Sequence, residues 1–284
     1  MKNIGIFLNT MKENSYSYGN YIIDKLFDID VNTFTTEEIN AKLKNEKVRV
    51  DDQYLFEKCD CIIVLGGDGT ILTAVRKCSY HQIPVIGINF GKIGFLTEVE
   101  EKDIDSTLER LLCNDFTLEK RMMLELKLDE SSDVNYLALN DIVVSRGPDS
   151  RIITMDTYVN GQLIEEYRAD GLILSTPTGS TAYSLAAGGP IVEPDNNVIV
   201  LTPICPHSLH NNRSIIINGS NQVEVIVVGK GDETSVASVD GQIFINIEIN
   251  KKLTIKKSPI KAHLIKFKKN EFFDILRHKL SHQK

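Results

Sequence analysis

The feature that most constrains this chain is an apolar run that stops dead at glycine. Cys61-Ile62-Ile63-Val64-Leu65 carries no polar group beyond a thiol, and Gly66-Gly67-Asp68-Gly69-Thr70 follows at once. A run of that length bounded by glycine reads as a strand buried on both faces, and such strands belong to parallel sheets covered by helices. Ile4-Gly5-Ile6-Phe7-Leu8 and Pro84-Val85-Ile86-Gly87-Ile88 repeat the pattern. Between the runs, apolar residues recur at helical spacing. They do so from Tyr16 to Phe27 (Tyr18, Tyr21, Ile22, Leu26) and from Thr70 to Lys77 (Ile71, Leu72, Val75).

Alternating buried strands and helices predict an α/β, Rossmann-like N-terminal domain over residues 1–98. After a helix around Asp103 to Leu112 the periodicity changes. Thr117–Leu128, Tyr136–Ser145, Ile152–Val159 and Gln162–Tyr167 read as strands, with Asn160-Gly161 as a hairpin turn whose two positions need positive φ. Further strands are expected at Val198–Thr202, Ser214–Ile217, Val223–Val228, Ser235–Val239, Ile243–Ile249, Lys252–Ile255 and His263–Phe267. Strands this dense predict an all-β C-terminal domain over residues 99–268, a sandwich or layered sheets. Residues 269–284 form a final helix, roughly Glu271 to Leu280, and a tail. Phe272, Phe273, Leu276 and Leu280 are available to pack back on the first domain. The cleft between the two domains is the expected active site.

Charge narrows the partners. The 284 residues carry 32 basic and 39 acidic side chains, a net −7, which disfavours phosphate backbones and anionic membranes. The balance is uneven, with eleven Lys/Arg against two acids from Lys251 onward. From Lys251 to Lys269 the basic residues alternate with Leu253, Ile255, Ile265 and Phe267, the pattern of a solvated sheet face rather than of a polyanion-gripping tail. Five cysteines (Cys59, Cys61, Cys78, Cys113, Cys205) show no paired metal or disulfide spacing, so reduced and mostly buried thiols are expected. No apolar run reaches membrane-spanning length and no apolar leader is visible, which predicts a soluble, cytoplasmic protein.

The chemistry is concentrated in three glycine-containing segments. In Gly66-Gly67-Asp68-Gly69-Thr70, the glycines Gly66, Gly67 and Gly69 with Thr70 suit a phosphate cradle at a helix N-terminus. The carboxylate in its middle suits a divalent metal or the proton of an attacking hydroxyl. A tight turn with Asp68 as helix N-cap is the structural alternative. This loop resembles that of the superfamily holding NAD kinases, diacylglycerol and sphingosine kinases and, more distantly, 6-phosphofructokinases.

The second segment, Gly87-Ile88-Asn89-Phe90-Gly91-Lys92-Ile93-Gly94-Phe95-Leu96-Thr97, is a glycine-permissive loop serving either as a connection or as a ligand contact. The third runs from Asp170 to Pro190 as strand, hydroxyl-rich loop and short helix. Its hydroxyls and N–H groups suit ribose and phosphate oxygens, and Tyr183 offers a flat face to a ring. Taken singly, Ser180 is equally an N-cap and Tyr183 a core aromatic. Together the second and third segments are similar to the NAD kinase family, the third nearly residue for residue. Asn140-Asp141-Ile142-Val143, Thr202 to Leu209 and Asp240-Gly241-Gln242 match further family patterns, so the resemblance spans about Ile4 to Phe267.

The resemblance implies transfer of the γ-phosphoryl group of ATP, or of polyphosphate, to the 2′-hydroxyl of the adenosine ribose of NAD⁺. Asp68 would be the general base and Gly69 would sit beside it. Asn140, Asp141, Arg151, Arg168, Asp170, Thr181, Ala182, Tyr183, Ser184, Leu185, Ala186 and Gln242 would hold the dinucleotide. For Arg151 and Arg168 a solvated surface charge is the other reading. The family more often reads Ser-Leu-Ser after Thr-Ala-Tyr, so Ala186 offers only backbone there. His207 reads as a structural histidine, with no base–nucleophile partner near it. A divalent cation, Mg²⁺, would arrive with ATP, and no protein-only metal site is visible. The resemblance also implies a homo-oligomer, a dimer or tetramer. A lipid or other small-molecule kinase of the same superfamily and a non-catalytic dinucleotide sensor are the competing readings.

Overall fold

A computed structural model of the chain describes residues 1–11, 14–90, 94–97, 99–128, 134–147, 152–207, 213–229, 234–267 and 272–281. The chain gathers into two units, Met1–Lys120 with Ala262–Lys284, and Arg121–Lys261.

The first unit alternates strands and helices: β1 (Asn3–Leu8), α1 (Asn14–Phe27), β2 (Asn32–Thr35), α2 (Glu37–Leu43), β3 (Arg49–Val50), α3 (Asp52–Glu57), β4 (Cys61–Leu65), α4 (Asp68–Cys78), β5 (Val85–Asn89), β6 (Val99–Glu100) and α5 (Ile104–Leu112). The strands pair in parallel in the order β3-β2-β1-β4-β5, with β6 on β5. Every residue of β4 and β5 is buried, as the continuous apolar runs require. The stretch from β2 to α3 escapes periodicity because β2 is Asn-Thr-Phe-Thr and both helices are short. Caps define them instead: Thr36 Oγ1 accepts from the Ile39 N–H (3.2 Å), and Asp51 Oδ1 from the Tyr54 N–H (2.8 Å).

The second unit is built from β7 (Thr117–Lys127, from Arg121 onward), β8 (Tyr136–Ala138), β9 (Asp141–Arg146), β10 (Ile153–Val159), β11 (Gln162–Ala169), β12 (Gly171–Ser175), the one-turn helix α6 (Tyr183–Ala186), β13 (Val198–Ile204), β14 (Ile215–Asn218), β15 (Gln222–Val228), β16 (Ser235–Val239), β17 (Ile243–Ile247) and most of β18 (Lys252–Lys266). One antiparallel layer runs β14-β13-β12-β9-β16-β17, and another runs β11-β10-β15-β18, while β7 pairs with β8. Alternating side chains of both layers, among them Ile142, Val144, Met155, Leu172, Val225 and Ile255, meet in one core. Asn160 (φ 49°) and Gly161 (φ 79°) make the β10–β11 turn, both in the left-handed region.

Two strand readings change. Tyr136–Ser145 breaks at Leu139-Asn140, which separates β8 from β9 and sets Asn140 in a bend. Lys252–Ile255 and His263–Phe267 are one strand, β18, whose end pairs with β5 at Leu264 and Val85. The first unit therefore extends beyond residue 98 and recovers the chain from Ala262. Contacts within it explain this. The Arg110 guanidinium on α5 lies 4.4 Å over the Phe267 ring and donates to the Phe267 carbonyl (3.3 Å), and the Thr117 hydroxyl donates to the Lys266 carbonyl (3.1 Å).

The last helix, α7 (Phe272–Ser281), belongs to the first unit, with the Phe272 ring 6.2 Å from Phe95 and Lys279 Nζ 4.5 Å over Phe95. Phe273, expected to pack, is 60% exposed because only one side of this helix meets the unit, and the Leu280 side chain lies outside the description. Cys59, Cys61 and Cys78 are buried free thiols, whereas Cys113 and Cys205 are exposed. Burial pushes Cys59 and Cys78 up to about 12. Among the described residues no helix is long and apolar enough to cross a membrane.

Candidate active site

The glycine–aspartate loop stands at the carboxyl end of β4, where parallel sheets present their ligands. The Gly66 N–H donates to the Ile88 carbonyl (2.9 Å) and the Asn9 N–H to the Leu65 carbonyl (3.1 Å), tying the loop to the ends of β5 and β1. The N-cap of α4 is Gly67, and Asp68 is the first helical residue. Its carboxylate does not cap the helix. Asp68 Oδ2 accepts from the Phe95 N–H (3.0 Å) and Oδ1 from the Leu96 N–H (3.1 Å). The first and second glycine segments, separate in the sequence, are thus one structure. Gly94 is glycine for this reason, since a Cβ there would collide with the Asp68 carboxylate. Phe90 stacks on Tyr18 at 4.8 Å, while Gly91, Lys92 and Ile93 lie outside the described residues. Gly69 is exposed, and Thr70 packs against Gly66.

The second unit holds a pocket of about 430 Å³, within the roughly 300–1,000 Å³ of small-molecule sites. Asn140, Asp141, Ala182 and Tyr183 line it together, joined by Ser145, Asp240 and Phe244. Tyr183 is 48% and Phe244 70% exposed, so two aromatic faces are open to a ring and the core-aromatic alternative for Tyr183 falls. Asp141 is only 4% exposed, and burial, followed by the nearby charge of Asp240, pushes its carboxyl up to about 7. A carboxyl raised toward neutrality by burial in a pocket makes Asp141 a candidate functional residue.

The other predicted residues divide. Asp170 Oδ1 accepts from Arg146 Nε (3.0 Å), and Asp170 sits where the chain leaves β11 for β12 in the other layer. The alternation that would align it with Arg168 ends there. Arg168 is exposed, and its carbonyl accepts from the His207 N–H (2.8 Å). The His207 side chain is exposed. The Ser184 hydroxyl is buried against Thr202 Oγ1 (3.0 Å), and the Thr181 hydroxyl donates to the Thr178 carbonyl (3.2 Å). Ser180, not an N-cap, accepts from the Val192 N–H (3.0 Å) and donates to the Pro177 carbonyl (2.6 Å). Leu185 is half-buried and Ala186 exposed. The Gln242 N–H closes the β16–β17 turn on the Val239 carbonyl (3.0 Å). Arg151 lies outside the described residues.

Sequence reading missed Asp240 and Phe244 as pocket residues. Asp240 was legible only as part of Asp-Gly-Gln, and an aromatic on a strand carries no signal of its own. Arg146 was missed because its partner Asp170 is distant in sequence.

Residues 4–116 match the model of the ATP-NAD kinase N-terminal domain, and residues 139–267 that of the ATP-NAD kinase C-terminal domain. The chain is 38% identical over 283 residues to an NAD kinase of Caldanaerobacter subterraneus subsp. tengcongensis, covering 99% of both chains. It is 41% identical over 292 residues to an NAD kinase of Clostridium botulinum, covering 100% of this chain and 98% of the relative. Yeast NADH kinase complexed with NADH superposes with a TM-score of 0.90 at 25% identity, over 100% of this chain and 89% of the other. An NAD kinase from Archaeoglobus fulgidus in complex with ATP gives 0.76 at 25% identity, over 99% of both. With both domain models matched in order and full-length relatives above 35% identity, the chain belongs to the NAD kinase family.

Proposed function

We infer that the chain is an NAD kinase, which transfers the γ-phosphoryl group of ATP to the 2′-hydroxyl of the adenosine ribose of NAD⁺ and gives NADP⁺. The observation that carries this is the convergence of Asn140, Asp141, Ala182 and Tyr183 on one pocket. Asn140 offers a donor and an acceptor to a base edge, and Tyr183 a face for stacking. Asp170 with Arg146, Arg168, Arg151 and Gln242 complete the dinucleotide contacts. Thr181, Ser184, Leu185 and Ala186 contribute backbone and shape, since the Ser184 hydroxyl is held by Thr202.

A ribose hydroxyl is a weak nucleophile and needs a base. Asp68 serves as that base. Each of its oxygens accepts one N–H and keeps a second lone pair, so it takes a proton without releasing Phe95 or Leu96. Gly66, Gly67, Gly69 and Thr70 cradle the phosphates at the start of α4. Among the described residues no group of three or more His, Cys, Asp or Glu side chains is gathered for a metal. The hard oxygens of Asp68 would suit a divalent cation carried in by ATP, and such an ion, Mg²⁺, would supply charge neutralisation to the transferring phosphoryl group. The same reading makes the protein a cytoplasmic homo-oligomer.

Incubation with NAD⁺, ATP and Mg²⁺, read out by an NADP⁺-specific dehydrogenase, tests the function, and polyphosphate in place of ATP tests the donor. Asp68→Asn is expected to lower turnover by roughly 10²–10⁴-fold with NAD⁺ binding retained. Near-native turnover in that variant removes the base assignment. Phosphorylated diacylglycerol without NADP⁺ points to a lipid kinase, and NAD⁺ binding without any turnover to a sensor.

A further inference from the structure

The Asn140–Asp141 segment needs an explanation, because both side chains line the pocket although their peptides lie at a break between strands. A two-residue bend is held only if its backbone groups find partners. Here all six main-chain polar groups of residues 139–141 have one. Asp240 Oδ2 accepts from the Leu139 N–H (3.0 Å), and Oδ1 accepts from the N–H groups of Asn140 (2.7 Å) and Asp141 (3.1 Å). The Asp240 N–H donates back to the Asp141 carbonyl (2.9 Å). On the carbonyl side, the Thr176 N–H reaches the Asn140 carbonyl (2.9 Å) and the Thr176 hydroxyl the Leu139 carbonyl (2.6 Å).

We propose that Asp240 is a positioning residue of the nucleotide pocket, its carboxylate fixing three consecutive peptide units so that Asn140 and Asp141 present their side chains to the dinucleotide. The proposal rests on the NAD kinase reading for the identity of that ligand. Chemistry explains the residue type. Three N–H donors need an acceptor with two oxygens and no hydrogen of its own, which a carboxylate supplies and an amide does not. Asp240 is 8% exposed, so these bonds lie largely out of water. Its backbone is left-handed (φ 50°), a conformation Asp tolerates and glycine adopts freely. A second consequence is electrostatic. The Asp240 charge is one of the two causes that raise the neighbouring Asp141 carboxyl. The other titratable side chain lining the pocket is Tyr183, while Arg121 Nη1 reaches the adjoining loop at Thr178 Oγ1 (3.1 Å).

Asp240→Asn and Asp240→Gly separate this role from turn formation. Glycine keeps the left-handed turn and removes the acceptor. Both variants are expected to raise KM and Kd for NAD⁺ at least tenfold and to change KM for ATP less than twofold. Hydrogen exchange at the amides of residues 139–141, measured without ligand, should accelerate at least tenfold in both. Native KM and Kd in Asp240→Gly, equal losses for NAD⁺ and ATP, or unchanged exchange would each overturn the proposal. If the wild type makes no NADP⁺, the function reading fails while the exchange measurement still decides the role of Asp240.

Discussion

Asp141 keeps a carboxyl group where an ionised one is unfavourable. Its folded pKa of about 7 stands above the ordinary value near 3.9, so the folded state holds the proton more tightly than the unfolded one. The resulting cost to stability is absent below about pH 4, grows as pH rises toward 7 and is complete above it. Asp141→Asn should therefore stabilise the protein by a few kcal/mol at pH 8 and by almost nothing at pH 4, while weakening NAD⁺ binding. Thermal denaturation of both forms at the two pH values measures this. An equal gain at both would show that the charge is not the cause.

At the scale of elements, strands of the second unit carry both packing and site. β11 turns Tyr167 and Ala169 inward and Arg168 outward by simple alternation. Tyr167 is 1% exposed, and among the described residues its hydroxyl has no hydrogen-bond partner. Burial, then the charge of Glu165, pushes that hydroxyl up to about 12. Tyr167→Phe removes an unsatisfied polar atom and keeps the ring, so it should be neutral or stabilising by about 1 kcal/mol. Tyr167→Ala should cost roughly 3–5 kcal/mol through the cavity it leaves. Urea denaturation of the two variants distinguishes the cases, and a destabilised Tyr167→Phe would reveal a bound water or other partner on the hydroxyl. The loop from Thr176 to Ser184 teaches a related lesson. It reads as a ligand-facing hydroxyl array, yet Thr176, Ser180 and Ser184 direct their hydroxyls inward to hold Leu139, Pro177 and Thr202.

Across the whole molecule, part of the charge asymmetry of the sequence is met by local pairs. On β18, Lys252 meets Glu224 (3.3 Å) and Lys256 meets Glu125 (3.2 Å), and just before it Lys251 meets Glu248 (3.8 Å). Exposed pairs of this kind add little to stability, and they lower the local positive field where they form. The end of the chain has a different part. Phe272 and Lys279 cover Phe95, whose N–H holds the Asp68 carboxylate. A chain ending at Phe267 should melt at lower temperature and turn over NAD⁺ several-fold more slowly. Differential scanning calorimetry and the NADP⁺ assay check this, and unchanged turnover would mean that α7 plays no part in holding the loop.

The sequence by itself determined the fold class and the chemistry-bearing segments. Short continuous apolar runs bounded by glycine and alternating with helical spacing read as strands buried on both faces, and the Asp170 to Pro190 segment combines residue types too specific for a bland loop. It determined the Asn160-Gly161 turn for the same local reason, the φ that each position requires. What only the tertiary structure decided are the relations between distant residues. Asp240 lies about a hundred positions from the peptides it holds, and Asp68 about 27 from Phe95. Neither pairing leaves a periodic trace, because a hydrogen bond to a backbone N–H constrains the acceptor and not the side chain of the donor. The short, polar β2 and its two capped helices stayed hidden because the finished sheet, and not their own pattern, makes them favourable.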